Sequence, residues 1–197
     1  MGSEMCIRDS IYAMLLYTPF LLFNNLGSMF LQTHYVVDKS AAASMVKSML
    51  FASFIAAPLL GIVSDRMGRR LPLIKFCTIA VLALLLLMLA KVTPPQITVW
   101  LFGFFTWGFL IAYTIFKETH SEHIVSTGMG VMNSINIVGG IILAPIIGAL
   151  IDVLPKAAKL SQADTYFYVY LLLPAVVIAA LPLVRKIPET YCQQVIK

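Results

Sequence analysis

Residues 61–70 read Gly61-Ile62-Val63-Ser64-Asp65-Arg66-Met67-Gly68-Arg69-Arg70, a compact run of charge between two long apolar stretches. Upstream, residues 43–64 carry charge only at Lys47; downstream, residues 72–90 carry it only at Lys75. Each stretch is about the 20 residues that a helix needs to cross hydrocarbon, so the charged segment reads as a turn at a membrane surface. Inside it, Gly61 is small enough for close helix approach and Asp65 can accept hydrogen bonds at a helix end. Gly68 permits a tight turn, and the three arginines suit carboxylates or anionic headgroups.

The rest of the chain has the same plan. Of 197 residues, 60% are hydrophobic and 12% charged, and the mean hydropathy of +0.90 excludes a soluble domain. Apolar runs place six spans near 11–33, 43–64, 72–90, 97–116, 128–151 and 166–184. Between them lie Asp38-Lys39-Ser40, the 65–70 turn, Thr93-Pro94-Pro95, a 117–127 loop and a 152–165 loop. The formal charge of +5 does not imply nucleic acid, because the cations sit between apolar runs and form no basic face. Cys6, Cys77 and Cys192 show neither metal nor redox spacing.

Six spans put both ends on one side, together with the 65–71 and 117–127 loops. That side holds eight cations (Arg66, Arg69, Arg70, Lys75, Lys117, Arg185, Lys186 and Lys197). The other holds five (Lys39, Lys47, Lys91, Lys156 and Lys159). The positive-inside rule makes the first side, with both termini, cytoplasmic. An internal repeat supports the count: Ala57-Pro58-Leu59-Leu60-Gly61, three residues and Asp65 match Ala144-Pro145-Ile146-Ile147-Gly148, three residues and Asp152. The match maps the second span onto the fifth, which run in opposite directions, as in a three-plus-three inverted repeat. The third and sixth spans are apolar nearly all round and are expected to face lipid. Polar residues gather on the first, fourth and fifth, which are expected to line an interior.

Met1 to Ser10 are unlike the apolar run after them and lack the hydrophobic region of a signal peptide. All ten residues resemble the translation of a transposon-end adapter used in sequencing-library preparation. The expectation is that native protein begins at Ile11 as part of a longer chain.

The 61–70 segment resembles the G-x-x-x-D-R-x-G-R-[RK] loop after the second span of each six-helix half in the major facilitator superfamily. The resemblance covers about 11–190 and implies an all-α, six-helix half of such a transporter. The close Arg185-Lys186-Ile187-Pro188-Glu189-Thr190 resembles the end of the C-terminal half, with 191–197 as a cytoplasmic tail. The resemblance further implies that Asp65, Arg66, Arg69 and Arg70, spaced by Gly61 and Gly68, form a cytoplasmic charge network that locks one access state. Glu118 and Glu189 are the expected carboxylate partners; the plainer alternative is that these charges only set topology and satisfy helix ends. Pro188-Glu189-Thr190 matches a sugar-porter tail motif, but Tyr191 stands where that motif has lysine, and the first span lacks its paired glutamines.

On the first span Tyr17, Asn24, Ser28 and Tyr35 recur at helical spacing with Asn25 and Gln32 beside them, a polar stripe that needs a cavity or partners. With Trp107, Asn133 and Asn136 they are the candidate substrate path; helix-to-helix hydrogen bonding is the alternative, above all for Asn133 and Asn136 beside Gly139-Gly140. Trp100 reads as an interfacial belt residue, and Lys47 and His34 as interfacial groups. Glu118, His120, Glu122 and His123 are metal donors by type but not by spacing, and no metal or cofactor is expected. The combined reading is a secondary active transporter of small polar organic solutes working by alternating access. The alternatives are a lipophile efflux carrier or a non-transporting scaffold. Its partners are the solute, a coupling proton or ion, the bilayer and the other six-helix half. No span contains the serine, paired aspartates or buried base of an intramembrane protease, so no enzyme is expected. Nor does any show the arginine periodicity of a voltage sensor.

Overall fold

The computed structural model describes residues 2–194, with side chains from residue 7 onward, so Cys6 and the Lys197 end of the expected tail lie outside the described residues. The chain is helical throughout: α1 (Gly2–His34), α2 (Lys39–Met67), α3 (Leu71–Leu89), α4 (Pro95–Thr106), a 3-10 turn (Trp107–Phe109), α5 (Leu110–Thr119), α6 (Glu122–Ala158), α7 (Gln162–Tyr170) and α8 (Leu172–Val184). Six stretches among the described residues are long and apolar enough to cross a membrane. They are α1, α2, α3, α4 with α5, α6, and α7 with α8, which matches the six apolar runs.

Local chemistry sets the ends. Asp38 caps α2, its carboxylate accepting from the amides of Ser40 and Ala41 at 3.1 Å each. Gly68 closes the same helix with φ +61°, donating its amide to the Asp65 carbonyl. Only glycine enters that left-handed conformation without steric cost, which is why the chain can turn sharply into Arg69 and Arg70. Pro72 lies in the first turn of α3, where a missing N–H costs nothing. Ser161 caps α7, accepting from the Asp164 amide at 3.1 Å.

Helices outrun the apolar runs. The expected 117–127 loop shrinks to His120 and Ser121, and the 152–165 loop to Lys159, Leu160 and Ser161. At 37 residues α6 is about 55 Å long, well past the hydrocarbon. Apolar patterning stops at the first charge, whereas helical hydrogen bonding continues into the headgroup region.

α1 is the organising strut, packed along α6 and against α8 and α2, while α4 fills the space between α2 and α3, and α3 meets α8. Aromatic rings tie these layers: Phe30 stacks on Tyr170 with centroids 4.1 Å apart, and Phe23 meets Phe102 edge-on at 5.6 Å. Gly139 makes the α1–α6 seam possible, because a side chain there would collide with Thr18 and Met14.

The spans differ in how much of each is buried. The third span is not lipid-facing all round: Ile74, Cys77, Thr78, Val81 and Leu85 are buried on one side while Phe76, Ile79 and Leu86 are exposed on the other. Nor are the polar spans alike, since 61% of the fourth span's apolar window is buried but only 17% of the fifth's. Burial follows neighbours rather than composition, and α6 has α1 as its main neighbour.

Candidate functional site

The α2–α3 turn, the end of α5 and the segment after α8 meet at one end of the bundle. Arg70, nearly buried, is the hub. Its Nη1 donates to the Asp65 carboxylate at 2.5 Å and to the Ser64 hydroxyl at 3.0 Å, while Nη2 reaches Glu118 at 2.6 Å and Nε the same carboxylate oxygen at 3.2 Å. The Thr190 hydroxyl donates to the other oxygen of Glu118. Glu189 comes back across the turn, accepting from the backbone amides of Arg70 at 2.7 Å and Leu71 at 3.0 Å. Its acceptors are thus spent on the first orphan donors of α3. The Cys192 thiol donates weakly to the Ser64 carbonyl at 3.6 Å.

Burial opposes the charge on Arg70, but its hydrogen bonds to the Glu118 and Asp65 carboxylates outweigh it, so its pKa moves further up and the guanidinium stays charged. Burial likewise pushes the Glu189 carboxyl up, yet the amides of Arg70, Leu71, Tyr191 and Thr190 hold it below the usual range. Tyr191 and Cys192 both sit at positive φ, 53° and 57°. That conformation costs about 1 kcal/mol or more per residue and turns the tail back over the loop.

Not every expected member joins. Arg66 is exposed and forms no ion pair among the described residues. Arg69 touches the cluster only through Tyr191, its guanidinium carbon 5.7 Å from the ring centroid. Gly61 has nothing within 4 Å of where a Cβ would stand, so the expected close helix approach does not occur there; it lies on an open face of α2. Ser64, Thr190 and Cys192 take part although nothing in their spacing announces it. Beside the hub lies a cavity of about 550 Å³ lined by Arg70, Thr114, Lys117, Glu118, Glu122, Val125 and Gln194. His120 stacks on Phe116 at 4.1 Å rather than standing with Glu118 as a donor pair.

A second polar region lies in mid-span. Tyr17 packs against Phe109 at 4.8 Å, Trp107 lies 5.7 Å from Phe109 and 6.3 Å from Phe20, and Tyr113 is 6.0 Å from Phe109. This cluster surrounds the 3-10 turn that breaks the fourth span, a geometry often found at hinges. Among the described residues the Trp107 indole nitrogen, the Tyr113 and Tyr170 hydroxyls and both amide atoms of Asn136 are buried without a hydrogen-bond partner. Asn24, Asn25 and Asn133 are exposed. Asn25 donates to the Leu21 carbonyl at 3.0 Å, and Gln32 to the Ser28 carbonyl and hydroxyl at 3.1 and 3.2 Å. His34, the last residue of α1, is buried against neighbouring helices, stacked on Phe30 and 3.0 Å from the Leu89 carbonyl.

Six helices long and apolar enough to cross a membrane, with a charge hub at one end, define a polytopic α-helical membrane protein. The chain belongs to the Major Facilitator Superfamily, whose pattern matches residues 10–191. Among solved structures it is similar to the proton:xylose symporter XylE bound to 6-bromo-6-deoxy-D-glucose, with TM-score 0.74 and 17% identity, covering 96% of this chain and 45% of that one. It is also similar to the inward-open xylose transporter XylE from E. coli, with TM-score 0.72 and 16% identity over 96% and 49% of the two chains. At that identity the likeness concerns the fold. The chain spans a little under half the length of these transporters. No curated protein matches the sequence.

Proposed function

We propose that this chain is the C-terminal half of a secondary carrier that moves small polar organic solutes by alternating access, with both termini cytoplasmic. The observation that carries the reading is the Arg70 hub, which joins three separate segments through Asp65, Glu118 and Glu189 at one end of the bundle. Contacts of that kind hold one end closed and break when the end opens, a bistable element of the sort that gating requires. Asp65, Arg70, Glu118 and Glu189 form the gate. Gly68 shapes its turn, Gly61 keeps the neighbouring α2 face open, and Arg66 and Arg69 add charge at the rim.

Mid-span, the solute path runs along Tyr17, Asn24, Asn25, Ser28, Gln32, Trp107, Asn133 and Asn136, to which Tyr113 is added for its orphaned hydroxyl. Uncharged donors and acceptors beside aromatic faces suit hydroxylated solutes, and the fold neighbours' pentose cargo makes monosaccharides and polyols the first class to try. The other six-helix half completes the path and supplies the coupling group for a proton or ion, since the spans of this chain hold no acidic residue near their middle. Residues 191–197 are the tail that carries Tyr191 and Cys192.

The test is solute uptake into proteoliposomes holding this chain, its six-span partner half, or both. The reading expects accumulation only with both present. Equal uptake by this chain alone would replace it with a homodimer of halves, and no uptake of any solute with both halves folded would favour a scaffold.

A further inference from the structure

A second cavity at the hub end, of about 410 Å³, is lined by Arg69, Leu71, Pro72, Lys75, Glu189 and Tyr191. Arg69 and Lys75 bring two positive charges to it, and neither has an ion-pair partner among the described residues. Glu189 also lines it, but its oxygens are engaged by the amides of Arg70, Leu71 and Tyr191. The net character is cationic, with the Arg69 guanidinium held over the half-exposed Tyr191 ring. From Pro72 a single open stripe continues down α3 through Phe76, Ile79, Ala83 and Leu86, each three or four residues on and each exposed. Such spacing keeps them on one face of the helix.

A free phosphate compound needs the cations alone; the stripe gives the site a second requirement, a long apolar body lying along a membrane span directly below a charged head. We infer that this cavity binds the phosphate headgroup of an anionic glycerophospholipid, with Arg69 and Lys75 on the phosphate, Tyr191 closing over it and an acyl chain along Pro72, Phe76, Ile79 and Leu86. The lipid would thereby touch the tail and the turn that present Glu189 to α3, so that headgroup charge stabilises the closed end. This site is separate from the solute path, and its test reads lipid rather than uptake.

The experiment is native mass spectrometry of the purified full chain with phosphatidylglycerol, phosphatidylethanolamine or phosphatidylcholine, and with glycerol 3-phosphate as competitor. Phosphatidylglycerol should be retained preferentially, and the double substitution Arg69→Gln with Lys75→Gln should weaken its retention about tenfold or more. Arg66→Gln removes one positive charge from the same end of the bundle outside the cavity and should change retention by less than about twofold. Should the double variant lose helicity, the charge-conserving pair Arg69→Lys with Lys75→Arg must still retain the lipid. Equal retention of the three lipids, undiminished retention by a folded double variant, loss in the charge-conserving pair, or full displacement by glycerol 3-phosphate would each overturn the proposal.

Discussion

The two polar regions of the bundle are built on opposite principles. At the hub end every acceptor that matters is met: Glu118 holds Arg70 and Thr190, Asp65 holds Arg70, and Glu189 holds two amides at the start of α3. Within the spans, among the described residues, the reverse is true, with Trp107, Tyr113, Tyr170 and Asn136 carrying buried polar atoms that meet no partner. A buried polar atom left unmatched costs about 1 to 3 kcal/mol, so each of these atoms marks a place where water or a bound group would be accommodated. In the proposed carrier the satisfied end would act as a latch and the unsatisfied middle as a receptacle. Each can therefore be perturbed with a different expected sign.

The largest effect is expected at Glu118. Its side chain is 13% exposed and that of Arg70 only 7%, so Glu118→Gln takes from a nearly buried guanidinium the more buried of its two carboxylates. The loss should be about 2 to 3 kcal/mol, read as a fall in Tm, together with a shift in access state. An unchanged Tm would mean that the hub contributes little to the closed end. In mid-span, Asn136→Leu should do the opposite to stability, raising it by about 1 kcal/mol because an unmatched amide is removed, while abolishing uptake by the complete carrier. A variant that loses stability and keeps uptake would make Asn136 a packing residue.

Smaller effects separate the members of the latch. The Asp65 side chain is 65% exposed, so Asp65→Asn should cost less than about 1 kcal/mol and leave membrane insertion intact, slowing uptake by loosening the turn. Equal damage from Asp65→Asn and Glu118→Gln would contradict the burial argument. Smallest of all is a pH effect at Glu189. Because its folded carboxyl lies below the ordinary 4.5, its contribution is present above that value and fades as pH falls through the folded one. The Tm difference between parent and Glu189→Gln should therefore hold constant between about pH 7 and 5 and shrink below about pH 4.5. A difference that grows on acidification would mean that Glu189 is not held as a carboxylate by those amides.

Much of this was legible in the sequence where a single physical signal decides the outcome. Six spans follow from apolar run length, and the turn at Gly68 from the one residue type that accepts φ +61° without cost. The family resemblance groups Asp65, Arg66, Arg69 and Arg70 with Glu118 and Glu189, and of these Arg70 meets Asp65, Glu118 and Glu189. Partner choice was not legible. That Glu189 would cap the amides of Arg70 and Leu71, more than a hundred residues away, depends on the tail turning at Tyr191 and Cys192, positions with no glycine to announce a left-handed backbone. Neither was the break at Trp107–Phe109, which interrupts an apolar run without proline or charge. Gly61 shows the limit of reading a residue by type: it has the size for close helix approach and, among the described residues, no helix beside it.

The most direct test of the receptacle is whether its open residues meet water. Asn24, Asn133 and Phe76 are all exposed on this bundle, but only the first two belong to the polar path, while Phe76 lies on the lipid face of α3. In the complete carrier with its natural cysteines replaced, Asn24→Cys and Asn133→Cys should react with a charged methanethiosulfonate reagent and be protected by a transported solute. Phe76→Cys should stay unreactive. Reactivity of Asn24→Cys and Asn133→Cys as low as that of Phe76→Cys would mean that these faces rest against lipid or packed helix, and the account of a solute path along them would fall.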